Sequence, residues 1–359
     1  MLIGIDVGTT AVKAALFDGT GNVLRRFGER YPTARPAPGH VEQDAQDWMA
    51  LVMRALSVLS EGVEITAVGL CSQVNTHVFV DGKGAALAPA ITWQDTRCAA
   101  DAAAIDGKLD VADKIAWWGA PLPVDSSHVL ARMAHVKRTA PELWARTRYV
   151  MAPKDFCILH LTGEASADPM TNFGILDQRL SLIGPLIALV EGAAERLPPI
   201  SGFTHVVGRI RAGLPCAGVP VVTGAMDAWS GLLGAGVSVD GQGLYLSGTS
   251  EILGILSHEK KPTPGVIAFA ECEGMVLHAG PTQSGGASAD WLARILGRSA
   301  ADVSALAAEA NLAHVPLFLP HLDGERAPLW DPQARGAFTG LTSATGAPEL
   351  ALSVLEGVA

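Results

Sequence analysis

The stretch from Met1 to Asp18, MLIGIDVGTTAVKAALFD, constrains the fold more than any other part of the chain. Two apolar runs, Leu2 to Ile5 and Ala11 to Phe17, flank Val7-Gly8-Thr9-Thr10, with the acidic Asp6 closing the first run. So short a connection permits an antiparallel hairpin of buried strands and excludes a crossover helix. Glycine accepts torsions that other residues resist, so a Gly-Thr-Thr hairpin can present successive N–H groups and hydroxyls as a concave anion nest. Asp6 then adds what a nest lacks, a negative charge to hold Mg²⁺ through water. Taken alone, an ordinary hairpin with an acid at a strand end accounts for the same residues. A second copy favours the nest: GLYLSGTSEILGIL, Gly243 to Leu256, repeats the order apolar strand, Gly-Thr-hydroxyl, apolar strand. A spacing of about 240 residues lies outside the range of solenoid repeats and reads as a duplicated domain core. The boundary is expected between Ala235 and Gly241, dividing the chain into residues 1–238 and 239–359.

Asp18-Gly19-Thr20-Gly21 closes a further hairpin onto a third strand, Val23 to Phe27. After the loop Pro32 to Gly39, Asp44 is placed to cap a helix on which Trp48, Leu51, Val52, Ala55, Leu56 and Leu59 share one face. A strand at Ile65 to Cys71 follows. This β-β-β-α-β order is not the doubly wound dinucleotide fold, whose first strands are joined by helices. It resembles an actin-like (ribonuclease H-like) ATPase domain. Helices are expected at Phe156 to Leu161 and Leu189 to Arg196, and a strand at Val219 to Thr223. The 359 residues, with 49% hydrophobic and 17% charged, suffice for two α/β domains that each bury a core.

The net charge of −10 and the absence of a Lys/Arg cluster leave no footprint for nucleic acid. An anionic ligand must then be held by backbone dipoles, a metal or a few placed side chains. Cys71, Cys98, Cys157, Cys216 and Cys272 show no C-x-x-C spacing, which reads as reduced thiols and no zinc site. Asp6 interrupts the N-terminal apolar run, and the run Leu180 to Val190 is too short to cross a bilayer. The expectation is a soluble cytoplasmic protein that acts on a small molecule, with neither nucleic acid nor membrane as partner.

Four segments carry candidate chemistry. In TGAMDAWSGLLGAG, Thr223 to Gly236, Asp227 sits among small and apolar residues that tend to raise a carboxylate's pKa towards a useful general-base value. It is equally suited to cap the helix beginning at Ala228. CSQVNTHVFVD, Cys71 to Asp81, sets Gln73 and Asn75 after a buried strand, where amides can bind hydroxyls. ITWQDTR, Ile91 to Arg97, offers Trp93 as a flat wall and Asp95 as a polar group. Turn-forming residues and a core tryptophan explain these two segments as well. Ser284-Gly285-Gly286-Ala287 precedes a helix whose N-terminus can face a phosphate, or is a tight helix entry. His77, His128, His135 and His321 form no metal or triad pattern, and no G-x-x-x-x-G-K-[ST] is present.

These segments resemble those of the FGGY carbohydrate kinases, in that family's order and spacing along the whole chain. IGIDVGTTAVKAALFD resembles its first phosphate loop, LYLSGTSEI its second, and GAMDAWSGLLGAG the segment bearing its catalytic aspartate. PKDFCILHLTGE, Pro153 to Glu164, and FLPHLDGERAPLWDPQARGAF, Phe318 to Phe338, are also similar to family segments. The resemblance implies a two-domain actin-like fold, the second domain incomplete, acting on ATP, Mg²⁺ and a sugar. By the same resemblance Asp227 is the general base and Asp6 organises the metal. Gly8, Thr9, Thr10, Lys13, Gly248, Thr249, Ser250, Gly285 and Gly286 line the nucleotide path, and Gln73, Val74, Asn75, Trp93, Asp95 and Asp227 meet the sugar. A ketopentose such as xylulose is the implied acceptor, with ribulose, erythritol or glycerol, or a non-catalytic sugar-binding fragment, as alternatives; a homodimer is compatible with either.

The chain departs from the pattern in three places. Members acting on xylulose typically carry Gln-Met-His where this chain has Gln73-Val74-Asn75, and glycerol kinases carry Gln-Arg-Glu. The first family signature, usually with Lys and Trp, has Arg132 and His135. Members usually continue for on the order of a hundred residues, as two domains of comparable size require, whereas this chain stops at Ala359 in an apolar helical pattern starting at Pro348. The expectation is a truncated product without its adenosine site, in which Leu355 and Val358 lack packing partners.

Overall fold

The computed structural model describes every residue except Thr249, Pro262, Cys272, Glu273 and Pro332. The chain forms two compact units, one of Met1–Trp117 with Pro123–Gly236 and one of Trp118–Leu122 with Val237–Ala359.

The first unit is built on six strands: β1 (Leu2–Val7), β2 (Ala11–Phe17), β3 (Val23–Arg30), β4 (Ala67–Ser72), β5 (Val206–Arg209) and β6 (Pro220–Met226). Their order is β3-β2-β1-β4-β6-β5. The tight turns make β1, β2 and β3 antiparallel, while β4 and β6 run parallel to β1. Alternation divides the faces of the sheet. Ile3, Ile5 and Val7 of β1 and Val12, Ala14 and Leu16 of β2 are buried against α1 (Ala45–Leu59) and later helices. Gly4, Asp6, Lys13, Ala15, Gly69 and Cys71, the alternate residues, are more accessible and take the other face.

Asp44 caps α1 as expected, accepting from the Gln46 N–H at 2.9 Å. Trp48 on its buried face meets Phe156 edge to face, with ring centroids 6.3 Å apart. Two further helices complete the framework around the site, α2 (Val129–Thr139) and α3 (Pro153–Thr162), the latter opened by Pro153 and closed by Gly163 at φ 88°. The helix expected at Leu189 to Arg196 does not form. Only Gly184–Ile187 and a short 3₁₀ turn, Ala194–Arg196, are helical there, and Gly192 at φ 81° reverses the chain between them. Leu186, Val190 and Ala193 are nonetheless buried, so the apolar spacing reported burial rather than a continuous helix.

Just before its end β6 contains a bulge. Val222 pairs with Gly69 but Ala225 pairs with Cys71, so Thr223 and Gly224 together face one residue of β4. Gly224 sits at φ 66°, and a Cβ there would lie 1.8 Å from the Leu70 carbonyl oxygen. The bulge is held from behind by Lys154 of α3. Its fully buried Nζ reaches Asp155 Oδ1 at 2.5 Å and Asp168 Oδ2 at 2.8 Å, and donates to the Thr223 carbonyl at 3.1 Å. Burial works against the ammonium, but the two carboxylates outweigh it and raise its pKa. Asp168 also accepts from the N–H groups of Met170 and Thr171, both at 2.9 Å.

The second unit carries β7 (Gly243–Ser247), β8 (Glu251–Ser257), β9 (Ile267–Ala268) and β10 (Val276–Pro281), in the antiparallel order β7-β8-β10-β9. Its first two strands form a tight hairpin, Ser247 opposite Glu251, with a connection one residue shorter than that between Val7 and Val12 in the first unit. Helices α5 (Gly286–Leu296), α6 (Ala300–Ala307) and α7 (Ala347–Val358) enclose a core of Leu292, Val303, Phe318, Ala351 and Val354. Leu355, expected to lack partners, packs on this core, and Val358 borders a cavity beside β8. The label α4 belongs to Asp227–Gly234 at the end of the first unit.

Replacing Lys154 by Met would leave two buried carboxylates without their cation. Equilibrium urea unfolding is expected to give a loss of about 3–5 kcal/mol, and a loss below about 1 kcal/mol would show that the cluster does not hold the bulge.

Candidate active site

The parallel strands β1, β4 and β6 bring three sequence segments to one edge of the first unit's sheet. Asp6 lies beside Cys71 in register, and Asp227 begins α4 directly after β6. The Cys71 thiol donates to Asp6 Oδ1 at 3.7 Å. Burial, then the charges of Asp6 and Asp227, push the thiol's pKa up, so it remains a protonated donor between two carboxylates. Asp227 Oδ1 accepts from the Ala228 N–H at 2.7 Å. Burial pushes the Asp227 carboxyl up to about 6; the Ala228 N–H opposes this and the charge of Asp6 adds to it. Burial also raises Asp6, with Lys13 and the Cys71 thiol pulling it back. A cleft of about 620 Å³ opens over this face of the sheet, lined among others by Asp6, Lys13, Gly69, Cys71, Gly224 and Ser230.

Asp227 is expected to act as a base, and capping α4 is compatible with that role. It is the first residue of the helix, with Met226 in the cap position, so its side chain is not a conventional cap.

The expected sugar contacts fall into two groups. Trp93 is 47% exposed, and its indole N–H donates to Thr9 Oγ1 at 3.1 Å. Asn75 and Val74 are partly accessible; Asn75 adopts φ 56°, a conformation that asparagine tolerates better than most residues. Gln73 and Asp95, by contrast, are enclosed. Asp95 accepts from the Val41 N–H at 2.6 Å and is gripped by Arg97, whose guanidinium also meets Glu42 at 2.8 Å. Gln73 Nε2 donates to Gln43 Oε1 at 2.8 Å and to the Tyr31 hydroxyl at 3.4 Å, while its Oε1 accepts from Thr76. Both side chains hold neighbouring loops in place.

In the second unit, the Gly248 carbonyl accepts from the Gly286 N–H at 2.8 Å, so that helix N–H is occupied. A Cβ on Gly286 would lie 2.7 Å from the Gly248 oxygen, and one on Gly285 would lie 2.4 Å from Glu251 Oε1. The two glycines let Gly248 and Glu251 approach the start of α5 closely. Thr249 lies outside the described residues. Among the described residues no three His, Cys, Asp or Glu converge as a metal cage. Asp6, with the hydroxyls of Thr9 and Thr10 nearby in sequence, offers oxygen donors only. That donor set fits Mg²⁺, which is commonly bound by one or two carboxylates together with phosphate oxygens and water.

Two buried cations were not recognised from sequence as supports of the site. Arg132 of α2 is fully buried, and burial lowers its pKa to about 10. Its guanidinium donates to the carbonyls of Asn75 at 2.6 Å, Ser126 at 3.3 Å, Ile91 and Thr92. It thereby ties together the two loops that carry Asn75 and Trp93. Lys154 does the same for the bulge before Asp227. For Arg132 the available signal was a charged residue inside an apolar helical run, Val129-Leu130-Ala131-Arg132-Met133; Lys154, beside Asp155 in the first turn of its helix, carried no such signal.

No described helix is long and apolar enough to cross a membrane. The chain is 30% identical to the xylulose kinase of Escherichia coli strain K12 and 31% identical to that of Klebsiella pneumoniae. Each alignment covers 100% of this chain and 76% of the relative. The crystal structure of xylulose kinase from Rhodospirillum rubrum superposes with a TM-score of 0.89 at 27% identity, covering 99% of this chain and 76% of that one. The chain therefore has the two-domain actin-like, ribonuclease H-like fold of these proteins. Profiles of the N-terminal and C-terminal domains of one family match residues 1–234 and 243–359, and by these matches the chain belongs to the FGGY family of carbohydrate kinases.

Proposed function

We propose that this carbohydrate kinase transfers the γ-phosphoryl group of ATP to a hydroxyl of a ketopentose such as xylulose, with Asp227 as general base. The observation that carries the reading is the environment of Asp227: a carboxylate with a pKa near 6 at the edge of the sheet, electrostatically coupled to Asp6. At neutral pH it is ionised and still basic enough to receive a proton from a hydroxyl. As the hydroxyl oxygen bonds to the γ-phosphorus, its proton passes to Asp227. The bond from that phosphorus to the bridging oxygen breaks and ADP leaves. Phosphoryl transfer asks the protein mainly for positioning and charge compensation. Trp93 would form a wall for the sugar, with Asn75 and Val74 beside it, while Gln73 and Asp95 act by fixing the loops around them. Bound Mg²⁺ would neutralise phosphate charge, and Asp6 is the residue suited to hold it. The similarity to xylulose kinases supports a ketopentose as acceptor.

ADP release measured against xylulose, ribulose, erythritol and glycerol is expected to show the highest kcat/KM with xylulose. Asp227→Asn should lower kcat by about 10²–10⁴ with little change in sugar KM. No stimulation by any acceptor, or full activity in the variant, would defeat the assignment. The pH profile supplies a further check. Since the base must be unprotonated, kcat/KM should fall about tenfold per pH unit below pH 6.

The same shift affects stability. The folded-state value near 6 lies above the ordinary aspartate value of 3.8, so the native state binds this proton more tightly than the unfolded chain does. Stability contributed by this site is therefore present below about pH 4 and is lost as pH rises towards 6. Asp227→Asn should be more stable than the parent at pH 7, by roughly 1–3 kcal/mol, and nearly equal to it below about pH 4. Thermal unfolding at the two pH values measures the difference; an equal gain at both would assign it to another cause.

A further inference from the structure

Between Asp6 and β2 the chain turns through Gly8, Thr9 and Thr10, and the carbonyls of this turn point into the protein. The Gly8 carbonyl accepts from the Tyr31 hydroxyl. The Thr9 carbonyl accepts from Gln43 Nε2 at 2.8 Å. In a trans peptide the C=O of one residue and the N–H of the next point in opposite directions. Drawing in the carbonyls of Gly8 and Thr9 therefore turns the N–H groups of Thr9 and Thr10 outward. Two successive outward N–H groups are what an anion nest requires.

The groups that impose this orientation are themselves fixed. Gln43 is 1% exposed, and its amide also donates to Thr33 Oγ1 at 2.9 Å and accepts from Gln73. Gln73 returns to the start of the turn, its N–H donating to the Val7 carbonyl at 3.1 Å. From Gln73 the network continues through Thr76, whose hydroxyl accepts from the Trp93 N–H at 3.1 Å. The Trp93 indole then donates back to Thr9 Oγ1, which closes the circuit. The Gln43, Gln73 and Thr76 part of this circuit is buried and resists rearrangement, since breaking one of its members leaves an enclosed polar group unpaired.

We infer that Gln43 and Tyr31 are positioning residues: by holding the Gly8 and Thr9 carbonyls inward they fix the turn as a polyphosphate-binding nest, and through Gln73 and Thr76 they join it to the Trp93 wall. The inference rests on the phosphate-loop reading given above, and it concerns residues that touch neither substrate. Gln43 and Tyr31 bond to the carbonyls of the turn, so their effect should appear in anion affinity and in kcat rather than in sugar KM.

The test uses the full chain and inorganic triphosphate with Mg²⁺, titrated calorimetrically so that no turnover is needed. The parent chain is expected to bind. Tyr31→Phe, which removes only a hydroxyl, should weaken binding about tenfold, and Gln43→Met, which keeps the side-chain volume but loses the bonds to Thr9, Thr33 and Gln73, at least about tenfold. Both should keep the parent's far-UV circular dichroism. With the sugar that serves as substrate, kcat should fall in both variants while sugar KM stays within about threefold, a split that general destabilisation would not produce. Triphosphate binding within twofold of the parent in both variants, or no binding by the parent, would overturn the inference. The functional assignment is judged separately by acceptor-stimulated turnover and by Asp227→Asn. A chain that binds triphosphate through Gln43 and Tyr31 but phosphorylates no sugar would keep this inference and lose that one.

Discussion

Everything at the candidate site depends on three neighbouring strands running the same way. Because β1, β4 and β6 are parallel, their carboxyl ends meet at one edge of the sheet, and residues far apart in sequence arrive there together. Parallel sheets concentrate unpaired backbone groups and loop starts at that edge, which is why ligands bind there so often. In this chain the edge receives Asp6, the turn of Gly8 to Thr10, the loop after Cys71, and Asp227. None of these groups needs to be brought in by a long excursion.

Assembling polar loops at such an edge creates a second requirement, since their inward-facing carbonyls must be satisfied without water. The protein answers with long side chains carrying several donors. Arg132 serves the loops of Asn75 and Trp93, Lys154 serves the bulge before Asp227, and Gln43 with Tyr31 serves the turn after Asp6. Each reaches backbone oxygens from the protein side. The rigidity of the site thus comes from elements distant in sequence from the residues assigned to chemistry.

Much of this was legible in the sequence because it follows from local pattern. The β1/β2 hairpin, the Asp44 cap and the buried face of α1 follow from turn length, a capping residue and helical spacing. The echo at Gly243 to Leu256 follows from a repeated motif, and the second unit does open with the same kind of hairpin. What was not legible depends on contacts between distant segments. Gln73 and Asp95 look like surface polar groups after a strand, and only the positions of Gln43, Tyr31, Arg97 and Val41 show where their polar atoms are directed. Leu189 to Arg196 has helical spacing, yet Gly192 turns the chain while the same apolar residues stay buried. Gln43 carries no signal at all, being one amide in a polar stretch.

The bulge in β6 has an implication for how this protein can change. A strand shows alternate residues to opposite faces, so one added residue exchanges the faces of everything beyond it. Val222 lies beside Gly69 and Ala225 beside Cys71, which means that odd and even positions trade places at Thr223 and Gly224. Deleting a single residue there would restore regular alternation and turn the segment entering α4 the other way, carrying Asp227 with it. In this part of the chain the count of residues is under tighter physical control than most of their identities, and insertions or deletions should be far less tolerable than substitutions.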